Sequence, residues 1–221
     1  MQKPTLSIDI VIDVICPWCF LGKRRLEMAM RELADEIDFV VSYRPFQLDA
    51  TLPKDGADRA EYMLARFSDQ RAIDETHARL TEMGEDVDIR FAFEAIERVP
   101  NTLDAHRLIR WAAAANVAPA MVEQLFSTYF EQGGNLADRQ VLLAIADELG
   151  FDTDDIADRL DSDTDVAAVE AEIAEAVRMG VSGVPCTIVE RRYAISGAQP
   201  VDILVDALRR IAAEVDEIAD A

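Results

Sequence analysis

A chain of 221 residues, half of them apolar, is long enough to bury one sizeable core, with or without an insertion, and needs no covalent staples to do so. Its 43 acidic residues against 22 basic ones leave a net charge of −21, which excludes the clustered positive surface that nucleic acid or an anionic membrane demands. Three cysteines are too few for a disulfide-framed scaffold, and no apolar run approaches the roughly eighteen residues of a membrane span.

The chain opens with Ile8, Ile10, Ile12 and Val14 at alternate positions, the pattern of one face of a strand. Leu26, Ala29, Met30, Leu33 and Ile37 follow at three- and four-residue steps, as on one face of a helix. Phe39 to Phe46 reads as a second strand with Pro45 near its end, and Leu52-Pro53-Lys54-Asp55-Gly56 is a breaker cluster that closes the first folding unit. From Asp58 to Leu160 the pattern is mainly helical. Tyr62, Met63, Phe67, Ile73 and Leu80 keep helical spacing up to Gly84, whereas Arg90 to Ile96 reads equally as strand or extended loop. Asn101 is placed to cap a helix that runs through Trp111 towards Val117, with Asp104 as its capping-box partner. Pro119 opens the next helix and Gly133-Gly134 stops it; Val141 to Leu149 make a third. Asp152 to Asp165 reads as a short acidic helix with a solvated face, and Val166 to Met179 as a helix stopped by Gly180. The period then changes: Val181 to Ser196 reads as a turn and a hairpin through Arg191-Arg192, and Ile203, Leu204, Ala207, Leu208 and Ile211 mark a final amphipathic helix. With the central helices set aside, the order is βαβ followed by αββα, that of a thioredoxin fold. The expected class is α/β: a thioredoxin-like domain made of residues 1–50 and 166–221, with residues 51–165 as a large all-helical insertion.

Cys16 falls where the first strand hands over to the first helix, with Cys19 one helical turn further on. Unpaired amides and the helix dipole favour an anion at that spot, so a thiol there gives up its proton readily, and the thiolate is the reactive form. A Cys-x-x-Cys beside a βαβ pattern marks a dithiol redox centre. The competing reading of the pair is structural thiols or half of a zinc site. Zinc needs two more ligands at motif spacing, and Cys186, His77 and His106 form no second pair, so no metal is expected.

Four motifs stand in order along the chain: Cys16-Pro17-Trp18-Cys19-Phe20-Leu21-Gly22-Lys23-Arg24, Asn101-Thr102-Leu103-Asp104-Ala105-His106-Arg107, Gly183-Val184-Pro185 and Ser196-Gly197-Ala198-Gln199-Pro200. Together they resemble the FrnE branch of the DsbA-like thioredoxin-fold oxidoreductases. The resemblance implies thiol–disulfide exchange, with Cys16 as nucleophile and Cys19 as resolving thiol. It implies that Val184-Pro185 is a cis-proline loop facing the dithiol and, with Pro17 and Trp18, meeting the substrate. It requires no cofactor beyond the two thiols, and glutathione would enter only as co-substrate. The partners implied are protein or small-molecule disulfides and thiols. The segment Asn101 to Arg107 also resembles the glutathione-dependent 2-hydroxychromene-2-carboxylate isomerases, the alternative activity; in that family a serine stands where Cys16 does. A third reading keeps the dithiol as a sensor or metal clip in a chaperone or assembly module.

Asp13, three residues before Cys16, is a candidate proton acceptor for Cys19 or a strand-end residue facing water. His106 lines the substrate groove, shuttles protons or packs the insertion onto the rest; Asn101 is cap first and ligand second. Cys186, directly after Pro185, is a third thiol near the pair. His77 reads as a surface residue, and Lys23 and Arg24 as solvated helix residues or as nearby positive charge that favours the thiolate. The N-terminal run, broken by Asp9 and Asp13, lacks the apolar stretch of a secretory signal, so a soluble cytoplasmic monomer or homodimer is expected, with its dithiol resting reduced.

The charge excess reads as a soluble, self-repelling surface or, the favoured reading, as fit for a halophilic setting, because salt screens self-repulsion, with a Debye length of about 3 Å at 1 M. The chain is accordingly expected to unfold in dilute buffer and refold as salt is added. Circular dichroism across a salt titration checks this, and a chain equally folded at both ends rules it out.

Overall fold

In the computed structural model, residues 3–67 and 69–219 are described. The first alternating run forms β1 (Thr5–Ile12), the helical run α1 (Pro17–Glu32), and the next apolar run β2 (Asp38–Pro45). Then come β3 (Ala57–Asp58), α2 (Arg59–Arg66), α3 (Gln70–Glu85) and a 3₁₀ turn at Phe93–Ala95. These lead to β4 (Arg98–Val99), α4 (Leu103–Ala114), α5 (Ala118–Phe130), α6 (Arg139–Glu148) and α7 (Thr153–Asp161). The chain ends in α8 (Val166–Arg178), β5 (Cys186–Val189), β6 (Tyr193–Ser196) and α9 (Val201–Ala219). The main sheet has the order β2-β1-β5-β6, with β2 parallel to β1 and the remaining neighbours antiparallel.

β1 is interior to the sheet, buried along one face and, on the other, only towards its C-terminal end at Val11, and its side-chain parity sorts the core. Leu6, Ile8, Ile10 and Ile12 face Phe20, Leu21 and Leu26 of α1 and Leu204 and Leu208 of α9. Val11 faces the other way, onto Ala176 of α8, Val181, Cys186 and Ile188. α9 buries Leu204, Val205, Leu208, Ile211 and Ala212, whereas Ile203, expected on that face, is exposed. Aromatic packing joins α1 to the helices that follow β2. Phe20 stacks on Phe126 at 5.1 Å and lies edge-on to Phe91 at 6.1 Å, pairs of a kind that contribute roughly 0.5–1.5 kcal/mol each beyond area burial.

Several expectations change in three dimensions. The insertion is not helical throughout: β3 and β4 pair antiparallel, Ala57 with Val99 and Asp58 with Arg98, just past the ambiguous Arg90 to Ile96 stretch, which itself holds no strand but the 3₁₀ turn at Phe93–Ala95. Lys23 is not solvated. It is 2 % exposed, its Nζ 2.7 Å from Glu27 and 2.6 Å from Glu123 of α5, while Arg24 reaches the other Glu123 oxygen at 2.6 Å. The N-terminal half of α1 is thereby bolted to α5 by charge as well as by phenylalanines. His77 is half-buried, stacked on Phe93 at 4.1 Å with Arg59 at 3.1 Å from its Nε2. The capping box at Asn101 does not form either: Thr102 is the N-cap of α4 and Asp104 turns to Arg107 instead.

Arg107 also changes the reading of the acidic segment. It is fully buried and donates to the carbonyls of Arg159, Leu160, Ser162 and Thr164 and to Asp104 Oδ1. The Arg159 and Leu160 carbonyls lie in the last turn of α7, where helix amides run out; Arg159 also accepts the Ser162 amide and hydroxyl, and the Arg107 guanidinium supplies the further donors that close this helix end. The segment from Asp152 to Asp165 is therefore docked on α4, with Ile156 and Leu160 buried beneath it. Arg107→Met is expected to lower the unfolding free energy by roughly 3–5 kcal/mol, since it strands several buried acceptors at once. Urea unfolding monitored by tryptophan fluorescence measures it, and a loss under about 1 kcal/mol would show that water satisfies those carbonyls equally well.

Candidate active site

β1 stops two residues earlier than its alternation suggests, because the chain must turn before α1 can begin. The turn from Asp13 to Cys16 is closed by the Cys16 N–H donating to the Asp13 carbonyl at 3.0 Å. Cys16 then occupies the N-cap of α1 in extended conformation (φ −92°, ψ 110°), and Pro17 takes the first helical position, where its missing N–H is no loss. The Cys16 carbonyl accepts from the amides of Cys19 at 2.9 Å and Phe20 at 3.4 Å, while its side chain makes no capping bond. The sulfur thus sits at the positive end of the helix dipole, with no side-chain cap on the helix amides.

Cys16 is 4 % exposed and Cys19 is completely buried, so a reaction partner meets Cys16 first. Both are free thiols. Burial first, then the hydrogen bond and charge of Cys16, push the Cys19 thiol well above the ordinary cysteine range. The Asp13 carboxylate adds to this, and a hydrogen bond from the Asp13 backbone opposes it.

The loop before β5 meets the dithiol as the resemblance implied. The Val184–Pro185 peptide is cis, and the Cys16 thiol donates to the Val184 carbonyl at 3.6 Å. Gly22, one turn past Cys19, makes this approach feasible: a Cβ there would stand 2.9 Å from the Pro185 ring and 3.5 Å from Ala198. The Pro185 carbonyl accepts the Gly197 amide at 2.8 Å and the Ala198 carbonyl accepts from Arg25 at 2.8 Å, so the fourth motif holds the third in place. Pro17 and Trp18 are partly exposed beside Cys16, and the Arg79 guanidinium of α3 lies 5.6 Å above the Trp18 ring.

Asp13 is buried, not solvated. Its Oδ2 accepts the Leu48 amide at 2.7 Å, and its Oδ1 has no hydrogen-bond partner among the described residues. His106 is also buried. Its Nε2 lies 2.9 Å from the Phe46 carbonyl and 3.5 Å from that Asp13 Oδ1. Strand end, insertion helix and dithiol therefore meet at one point. Asn101 instead spends its amide on tethering: it donates to the Leu52 carbonyl at 2.7 Å and accepts from Gln47 and the Leu103 amide, both at 3.1 Å. Cys186 does not join the pair. It pairs with Val11 in the sheet and points with it towards α8, the face opposite to the core that holds Cys16 and Cys19, and burial raises its thiol. Leu48, Phe46 and Arg79 had no motif to announce them, since each acts through backbone or through a neighbour remote in the chain; Gly22 stood in the first motif, but its role shows only where Pro185 approaches it.

The fold binds the Cys19 proton more tightly than the unfolded chain does. Its contribution to stability is therefore complete below the ordinary thiol range and declines above it, by up to about 1.4 kcal/mol per pH unit. Unfolding of the reduced protein and of Cys19→Ala, compared from about pH 7 to pH 10, isolates this slope from those of Cys186 and the tyrosines. A flat difference would mean that Cys19 ionises as freely in the fold as in a peptide.

Among solved structures, this one superposes on the probable DsbA oxidoreductase SCO1869 from Streptomyces coelicolor with a TM-score of 0.85, 25% identity and coverage of 93% of this chain and 89% of the other. The fold also matches a 2-hydroxychromene-2-carboxylate isomerase (TM-score 0.73, 17% identity, 96% and 98% covered). It matches as well the cytosolic disulfide reductase DsbM from Pseudomonas aeruginosa, solved with GSH (TM-score 0.65, 18% identity, 93% and 98% covered). Residues 7–209 match the DSBA-like thioredoxin domain, and with the cis-proline loop seated on a Cys-x-x-Cys helix start, the chain belongs to that family.

Proposed function

We propose that the protein is a thiol–disulfide oxidoreductase in which Cys16 exchanges with substrate and Cys19 resolves. The observation that carries this reading is the gradient of access across the pair: one sulfur at the mouth on a helix N-terminus, the other sealed beneath it with its proton held. In the reducing direction the Cys16 thiolate attacks a disulfide R–S–S–R′, forms Cys16–S–S–R and releases R′–S⁻. Cys19 then gives its proton to Asp13, attacks the Cys16 sulfur and expels R–S⁻. The substrate has gained two electrons and the dithiol has become a disulfide. The opposite direction runs the same steps backwards.

The Val184 N–H has no protein partner among the described residues, which supports its pairing with an extended substrate at the dithiol. Trp18 with Arg79 forms a flat, cationic margin suited to a substrate that carries a carboxylate, as peptides and glutathione both do. Thiols of the glutathione class are the proposed co-substrate that returns the disulfide to dithiol. The proposed setting is a reducing, salt-rich cytoplasm. No helix among the described residues is long and apolar enough to cross a membrane, and the fold is shared with a reductase named as cytosolic. The likeness to the isomerase is one of fold, and the intact dithiol favours exchange over isomerisation.

Cys16→Ser is expected to abolish reduction of insulin or of glutathione disulfide by more than about 10³-fold. Cys19→Ser should instead accumulate a mixed disulfide on Cys16, seen by intact-mass spectrometry. Undiminished turnover in the Cys16→Ser protein removes that sulfur from the mechanism.

A further inference from the structure

The resolving step has a proton to dispose of, and the site is closed where that proton is released. Cys19 and Asp13 are both completely buried. In the mixed disulfide the mouth at Cys16 is filled by the substrate itself. Asp13 Oδ1, the oxygen left without a partner among the described residues, has His106 Nε2 at 3.5 Å, and the Asp13 charge also reaches Cys19 and the phenols of Tyr62 and Tyr129, which burial first and then that charge push up. A buried carboxylate oxygen with no donor is rare in a folded protein and calls for a reason.

His106 in turn borders an open cavity of about 990 Å³ between β2 and helices α4, α7 and α8, a cavity that neither cysteine and neither residue of the cis-proline peptide lines. Its charged walls are ion-paired among themselves. Arg110, one turn after His106 on α4, holds Asp165 at 3.1 Å and also binds Glu172 of α8. On α7 Arg159 holds Asp155 at 2.8 Å, and on β2 Arg44 holds Asp9 at 2.9 Å, next to Tyr43. Among the described residues, His106 has Asp13 as its ion-pair partner.

We infer that His106 is the port through which protons leave and re-enter the resolving step, linking buried Asp13 to the cavity behind β2. The inference rests on the exchange reading above, with Asp13 as acceptor of the Cys19 proton. In this exchange the buried pair carries no net charge when Asp13 is an anion and His106 carries a second proton, its Nε2–H staying on the Phe46 carbonyl. When Cys19 attacks Cys16, its proton passes to Asp13 and the anion disappears. His106 then releases its second proton into the cavity. One proton enters the Asp13–His106 pair and one leaves it, so no uncompensated charge is buried at any stage. Reduction of the disulfide reverses every transfer.

The test separates the two steps, with glutathione disulfide as substrate: formation of the mixed disulfide on Cys16, then release of the second glutathione. His106→Gln keeps an N–H for the Phe46 carbonyl and cannot relay. It should form the mixed disulfide at the wild-type rate and resolve it about 10²-fold more slowly, the low end of what a positioned acid–base group contributes. Its resolution rate should also climb with pH where that of the wild type is level. In His106→Ala, free imidazole entering from the cavity should restore resolution. Resolution by His106→Gln with unchanged rate and pH profile, equal slowing of both steps, or failure of imidazole to rescue would each overturn the port. The underlying exchange reading fails by a different sign: no mixed disulfide at Cys16 in the wild-type protein.

Discussion

The turn that carries the chain from β1 into α1 sets everything else. Its closing bond, Cys16 N–H to the Asp13 carbonyl, aims the first turn of α1 at the Cys16 sulfur and drops Asp13 beneath the dithiol in the same stroke. A strand continuing two residues further would place Asp13 and Cys16 by strand alternation alone. The interruption instead puts one residue at the mouth and the other in the core. α1 can hold this aim because it is clamped on three sides: by β1 through its leucines and Phe20, by α9, and by α5 through the Lys23–Glu123–Arg24 cluster. Gly22 then admits the cis-proline loop to within contact of the helix, so that the same rigid helix start presents the sulfur and receives the loop that covers it.

An acidic protein of this composition has few cations, and their placement is informative. Lys23 and Arg107, both nearly or fully buried, are committed to internal acceptors, one to carboxylates between helices and the other to the carbonyls at the end of α7. Removing either would leave its acceptors unmatched inside the protein, where an unpaired polar group is far more expensive than at the surface. The acidic surplus is thus left on the outside, and the interior polar groups are nearly all answered. Asp13 Oδ1 is an exception placed directly under the reactive pair.

The family relationship covers the fold and the position of the dithiol, and the local detail gives this member its character. The dithiol opens towards Trp18 and Arg79 at the front, while Asp13 and His106 stand behind it. Cys186, adjacent to Pro185 in sequence, belongs to a separate small cluster under α8. Adjacency along the chain to a catalytic loop is therefore no guide to adjacency in space when the intervening geometry is a strand, because alternate residues leave on opposite faces.

The sequence by itself determined what depends on short-range periodicity and local backbone chemistry. The strands and helices, the Pro17 helix start, the Gly180 stop and the position of Cys16 at a strand-to-helix junction all arise from neighbours within a few residues. The order of those elements was enough to place the chain in its fold. What only the tertiary structure decided are facts of long-range pairing. The burial of Asp13 needs the Leu48 amide and His106 of α4 to arrive beside it. The burial of Lys23 needs Glu123, and the docking of the acidic segment needs Arg107. The face on which Cys186 emerges needs its register against Val11. None of these is encoded in a local pattern, because a charged or polar side chain reads as solvated until the partner that takes it out of water is known.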